Sequence, residues 1–140
     1  EAQRAEMDRG ILEECGAFGD PALHAKAFQF RRAADQFSAN ASVANVFMQH
    51  LGPWALPKTI PEKAARALNT LCEWLLWLAR WMAPFMPGKA QELWEMLGQS
   101  GRVGDQSWPG APEPSTWRQL ENGAALGDPA ALFPRLDDPS

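Results

Sequence analysis

The sequence predicts an all-α fold, a helical bundle with an extended Pro/Gly-rich tail at its C-terminal end. Two long segments carry that expectation. Between Pro21 and Gly52, and again between Pro61 and Pro84, the chain holds neither glycine nor proline, and apolar residues recur at helical spacing. The third observation is a change of character after Gly98, where proline and glycine recur and no apolar period remains. The boundaries read as residues 1–98 for the bundle and 99–140 for a tail packing back on it. With 140 residues and 46% hydrophobic composition, the chain is one domain with enough apolar material for a single core.

Each element has its own signals. Ala2 to Phe18 is rich in Ala and Glu, places Met7, Ile11, Leu12 and Cys15 at helical spacing, and stops at Gly19-Asp20-Pro21. Pro21 can open the next segment, because proline is tolerated at the first helical position. There Phe30, Ala33, Ala34, Phe37, Ala41, Ala44 and Met48 form a stripe. Ser38, Asn40 and Ser42 lower the propensity without breaking the helix, and a bend fits between Lys26 and Gln29. Gly52-Pro53 ends it, since proline cannot continue the hydrogen-bond ladder.

After a loop containing Pro57, Pro61 follows Thr59 and opens a helix to Ala83. Leu68, Leu71, Cys72, Leu75, Leu78, Ala79 and Met82 share one face, with Trp74, Trp77 and Trp81 beside it. A helix apolar most of the way round is buried on more than one side, which makes this the central helix. Pro84 and Pro87 end it, and Lys89 to Leu97 reads as a short helix closed by Gly98. The tail is expected to be pinned by Trp108, Trp117, Leu120 and Leu132-Phe133.

Composition narrows the function classes. Two cysteines and two histidines make neither a disulfide framework nor a zinc site, so no metal ligand is assigned. The longest apolar region, Leu71 to Pro87, carries Glu73 and Arg80 and is not a membrane span. Nothing at the start reads as a secretion signal, and a reduced, cytoplasmic location is expected. A chain that starts at Glu1 rather than Met is expected to be a fragment or a processed product.

No catalytic residue is assigned either. Gly98, Gly101 and Gly104 have no Lys-Ser/Thr after them, so they do not form a phosphate loop. The adjacent pairs Glu13-Glu14 and Asp137-Asp138 read as solvated, and His24 and His50 have no sequence neighbour that would make them a base or a ligand.

The aromatic count is lopsided, with seven Trp, seven Phe and no Tyr. Trp74, Trp77 and Trp81 sit at i, i+3, i+7, a spacing that belongs to packing, and Trp94 beside Leu93 and Leu97 reads the same way. Pro53-Trp54 is different, because it places an indole on a rigid step just past a helix end. Such a ring can stack on an unpaired base, or it can pack the loop onto its own helix. Lys58, Lys63 and Arg66 follow closely and could meet phosphates. Residues 1–100 carry ten basic and eleven acidic groups, so any RNA binding must come from a local site rather than from bulk charge.

Four motifs, in order, resemble the methionyl-tRNA synthetase family. Ala44-Asn45-Val46-Phe47 leading to Gly52-Pro53-Trp54 is similar to its Ala-Asn-x-aromatic and Ala-Pro-Trp signature. Phe28-Gln29-Phe30-Arg31-Arg32-Ala33 resembles the aromatic-x-Phe-x-x-Ala stretch opening the same helix. Met82-Ala83-Pro84-Phe85-Met86-Pro87 followed by Leu93-Trp94-Glu95-Met96-Leu97-Gly98, and then Leu132-Phe133-Pro134-Arg135-Leu136, are similar to two further family segments.

The resemblance implies the α-helical anticodon-binding domain of a class I synthetase, with the anticodon stem-loop of the methionine tRNA as partner. It implies that Trp54 stacks on an anticodon base with Pro53 shaping the step, and that Asn45 is structural or near the site. At Gln49 the sequence departs from the family, which often carries there an acidic residue that helps reject wrong anticodons. The resemblance also implies that, in the parent enzyme, the catalytic domain with its ATP and Mg, and one further anticodon-reading helix, precede this segment. No cofactor is then expected on this chain. Two other classes stay open: a free-standing helical protein-interaction module, which exposure of the Trp74/Trp77/Trp81 face would support, and a stand-alone RNA-binding protein.

Overall fold

A computed structural model describes residues 21–52, 61–109, 120 and 123–134, with the side chains of Leu51, Pro61 and Lys63 also outside the description. The predicted helix Ala2 to Phe18 and the predicted anchor Trp117 lie outside the described residues. Among the described residues four α-helices follow in order: α1 (Pro21–Lys26), α2 (Phe30–Leu51), α3 (Pro61–Met82) and α4 (Pro87–Met96), with a 3-10 turn at Val103–Asp105. No strand occurs among the described residues.

The bend expected between Lys26 and Gln29 is a full break, with Phe28 in the left-handed region at φ 58° separating α1 from α2. Proline does more than terminate here. α3 ends at Met82, and Pro87 then supplies the first residue of α4, two residues ahead of the expected start at Lys89. With φ already fixed near the helical value and no N–H to satisfy, Pro87 suits that position.

α3 is the central helix, and its burial on two sides follows from its composition. One side carries Trp74, Trp77, Leu78 and Trp81 against Val43, Phe37, Ala41, Ala44 and Phe47 of α2 and against Trp108. Another carries Leu76, Ala79 and Met82 against Ala90, Trp94, Leu97 and Val103. Trp74 and Trp81 meet edge to face at 5.6 Å between ring centroids, and Trp77 tilts against Trp81 at 5.7 Å. Offset and edge-on pairs of this kind add about 0.5–1.5 kcal/mol beyond the area they bury.

Three of the indoles place their N–H groups on backbone carbonyls. Trp74 donates to the Asn40 carbonyl (3.1 Å), Trp81 to Pro109 (3.1 Å) and Trp94 to Ser100 (3.1 Å). The last two tie the segment after α4 to the bundle. Gln91 adds a clasp, donating to the Gly101 carbonyl (3.0 Å) while its Oε1 accepts from Val103 N–H (2.9 Å).

Three expected core positions come out differently. Leu68, Phe30 and Phe133 are exposed by 51%, 57% and 63%. Leu68 lies toward the N-terminal end of α3, beyond the part enclosed on both sides, and Phe30 is the first residue of α2, directly after the break that separates it from α1. In the tail, Leu132 and Leu120 pack on the core and Phe133 does not.

Candidate nucleic-acid interface

α2 presents one face to the core and the opposite face to solvent. Ser38, Ser42, Asn45 and Gln49 are all exposed and recur at spacings of four, three and four, which places them on a single stripe. The stripe is polar and uncharged. Ser38 Oγ donates back to the Ala34 carbonyl (3.1 Å) and Ser42 Oγ to the Ser38 carbonyl (3.0 Å), so both hydroxyl protons are used and the oxygens remain acceptors. Among the described residues no hydrogen bond engages the side-chain amides of Asn45 and Gln49, each of which carries a donor pair and an acceptor.

The stripe leads into the connection between α2 and α3. Gly52 caps α2 in the left-handed conformation (φ 44°, ψ 54°), with its N–H donating to the Met48 carbonyl at 3.0 Å. Glycine takes that conformation at no steric cost, which stops the helix one residue before Pro53. Pro53, Trp54 and Lys58 lie outside the described residues, as does the side chain of Lys63. What is fixed is where their connection begins and ends: Gly52, one turn past Gln49, and Pro61 at the head of α3.

Arg66 sits one turn into α3, with Nη2 3.3 Å from Glu62 Oε2 and Nε donating to the Glu62 carbonyl at 3.2 Å. Its charge is therefore already partly answered by a neighbour on its own helix. Such an exposed i, i+4 pair is worth about 0.3–0.5 kcal/mol and yields readily to a better anion.

Two polar positions were not singled out by sequence as anchors. Glu73 is 1% exposed inside α3, and its Oε1 accepts the backbone N–H of Leu120 at 2.9 Å. Arg80 donates to the Ser107 carbonyl at 2.8 Å and lies 5.5 Å from the Trp77 ring centre. Partial burial pushes its guanidinium below the usual range. The signal was present as the two charges interrupting an otherwise apolar helix, and both hold the tail.

A shallow groove of about 190 Å³ lies between α3 and the tail, lined by Leu68, Asn69, Cys72, Leu120, Gly123, Ala124 and Leu126. Its one titratable side chain is Cys72, whose thiol is pushed up by burial and then by the Glu73 charge, which keeps it protonated and a poor nucleophile. Among the described residues no group of three or more His, Cys, Asp or Glu could hold a metal ion, and no helix is long and apolar enough to cross a membrane.

Residues 15–140 match the family described as the anticodon binding domain of methionyl tRNA ligase. The chain belongs to this family. Relatives include the methionine–tRNA ligase of Methanocorpusculum labreanum, 33% identical over 81% of this chain, and that of Methanosphaerula palustris, 31% identical over 91%. The methionine–tRNA ligase of Chlorobaculum tepidum is 33% identical, again over 91% of the chain. This anticodon-binding domain spans 16–18% of the length of those relatives. No solved structure gives a significant match. Within the domain, the Trp74/Trp77/Trp81 face is enclosed, with exposures of 0%, 3% and 0%, so it offers no patch to a protein partner.

Proposed function

We propose that this domain reads the anticodon of the methionine tRNA as part of a methionine–tRNA ligase, contributing recognition rather than chemistry. The observation that supports the reading best is the family match over residues 15–140, joined to an exposed stripe ending in two free amides beside the Gly52–Pro61 connection. In this mechanism Trp54, on the step made by Pro53, supplies a stacking face for an anticodon base. Asn45 and Gln49 offer both donors and acceptors to base edges, the form of recognition that unpaired RNA bases allow. Lys58, Lys63 and Arg66 supply positive charge for the phosphates on either side, Arg66 by exchanging Glu62 for a phosphate oxygen.

Gln49 gives the reading a particular character. A neutral amide can bond to a base edge but cannot repel a wrong one through charge, so discrimination falls on shape and hydrogen bonding. The catalytic domain of the same ligase, working with ATP and Mg²⁺ in the cytoplasm, is the proposed partner within the enzyme. The rigid packing of α2 on α3 would hold the anticodon at a fixed distance from that domain's active site.

The test is binding of a methionine-tRNA anticodon stem-loop to Trp54→Ala. Loss of a stacked ring costs about 1–3 kcal/mol, so Kd should rise by about five- to 150-fold. Unchanged affinity at measurable binding would remove the stacking role.

A further inference from the structure

The end of α2 opposite the anticodon stripe carries a second cluster of unexplained exposed groups. Between residues 26 and 32 the chain presents Lys26, Phe28, Phe30, Arg31 and Arg32, all exposed, the two rings by 82% and 57%. The rings meet edge to face at 6.2 Å, at an interplanar angle of 85°. Phe28 is the one positive-φ residue other than glycine among the described residues (φ 58°), a conformation costly for a bulky side chain. Its turn is locked by hydrogen bonds from Ala27 to Leu23, Phe28 to Ala25 and Gln29 to His24, at 3.2, 2.9 and 2.8 Å. The last two bonds are the pair that closes a helix C-terminus, so the positive φ ends α1 and lets it dock on α2; what folding does not account for is that a ring exposed by 82%, rather than glycine, holds that position.

The surrounding charge identifies the kind of ligand. Three cations flank the rings, and the first turn of α2 contains no acidic residue. Arg31 faces Asp35 at 4.0 Å with both groups largely solvated, a weak pair, and among the described residues Arg32 Nη1 donates to the neutral Gln29 Oε1 at 3.1 Å. The first turn of α2 has no side-chain cap at Gln29, so its peptide dipoles add positive potential of the same sign. An apolar protein surface would have to desolvate these cations without return. Aromatic faces interleaved with unneutralised positive charge suit a polyanion that also has flat rings.

We propose that the turn joining α1 to α2 is a second RNA contact of this domain, in which Lys26, Arg31 and Arg32 take phosphates and Phe28 and Phe30 take an unpaired base. It rests on the tRNA-binding reading and extends it. Arg31 and Gln49 are 18 residues apart on one helix, about 27 Å, so the two contacts would engage separate parts of the RNA.

The experiment titrates the 140-residue chain with whole methionine tRNA and with the isolated anticodon stem-loop at several salt concentrations. For the double variant Arg31→Ala/Arg32→Ala, the slope of log affinity against log salt should fall by about 1.5–2, corresponding to two lost phosphates. Phe28→Gly should weaken binding by about fivefold or more. Its melting midpoint should stay at or above the parent value, because glycine accepts the positive φ. Loss with both RNAs places the contact within the anticodon arm, and loss with the whole tRNA alone places it elsewhere; either supports the proposal. Unchanged affinity and slope in both variants overturn it, and the patch then belongs to a protein neighbour. The anticodon reading fails separately: in that case Trp54→Ala changes nothing while the patch variants still lose RNA.

Discussion

Glu73 shows how a single residue can join distant parts of this chain. A carboxylate buried in the central helix is costly unless bonded, and the Leu120 N–H reaches it across 47 positions of sequence. Removing it should release the tail. Glu73→Ala is expected to destabilise the fold by about 1.5–3 kcal/mol in chemical denaturation, the usual worth of a hydrogen bond to a charged group, with Glu73→Gln losing less because it keeps an acceptor. Cys72, next to it, gives a second check. With its thiol pushed up by burial and by the Glu73 charge, it should react with iodoacetamide at pH 8 more slowly in the folded protein than in urea, and Glu73→Gln should speed the folded reaction. Sequence exposed the oddity of a charge among apolar residues at Glu73, but not its partner, because pairing across that separation is set by how the tail lies on the bundle.

At the scale of elements, the helices themselves were legible. The apolar period located α2 and α3, and proline and glycine located their ends, because those signals are local and depend on neighbours within one or two turns. Exposure at the ends was less legible: Leu68 and Phe30 fit the stripe yet face solvent, since a periodic pattern does not say where the opposing helix stops. The interface divides the same way. Asn45 and Gln49 were named through the resemblance to the family and their shared exposed face came from the structure, while the positive φ at Phe28 depends on a backbone dihedral that no composition reveals. The join between α4 and the tail makes its own prediction. Gly98 holds φ at 72°, and a Cβ there would run into the Ala125 carbonyl. Gly98→Ala should therefore cost at least about 1–3 kcal/mol through backbone strain alone, read as a lower denaturant midpoint with α-helical signal retained.

For the whole molecule, the net charge of −4 and the near-neutral bundle make general attraction to nucleic acid weak, so recognition has to come from placed groups. The segment after α4 belongs to the same cooperative unit as the helices, because it supplies the acceptors for Trp81, Trp94 and Arg80. Ending the chain at residue 98 would orphan those donors at about 1–3 kcal/mol each, and the melting midpoint should drop by about 10 °C or more. The domain that remains intact has one central task under this account, which is to distinguish one anticodon from others. The most direct measurement compares the affinity of the 140-residue chain for the methionine-tRNA anticodon stem-loop with its affinity for the same stem-loop carrying a different anticodon. Each misread base typically costs about 1–3 kcal/mol, so a preference of about tenfold or more for the methionine anticodon is expected. Equal affinity for the two would contradict the account.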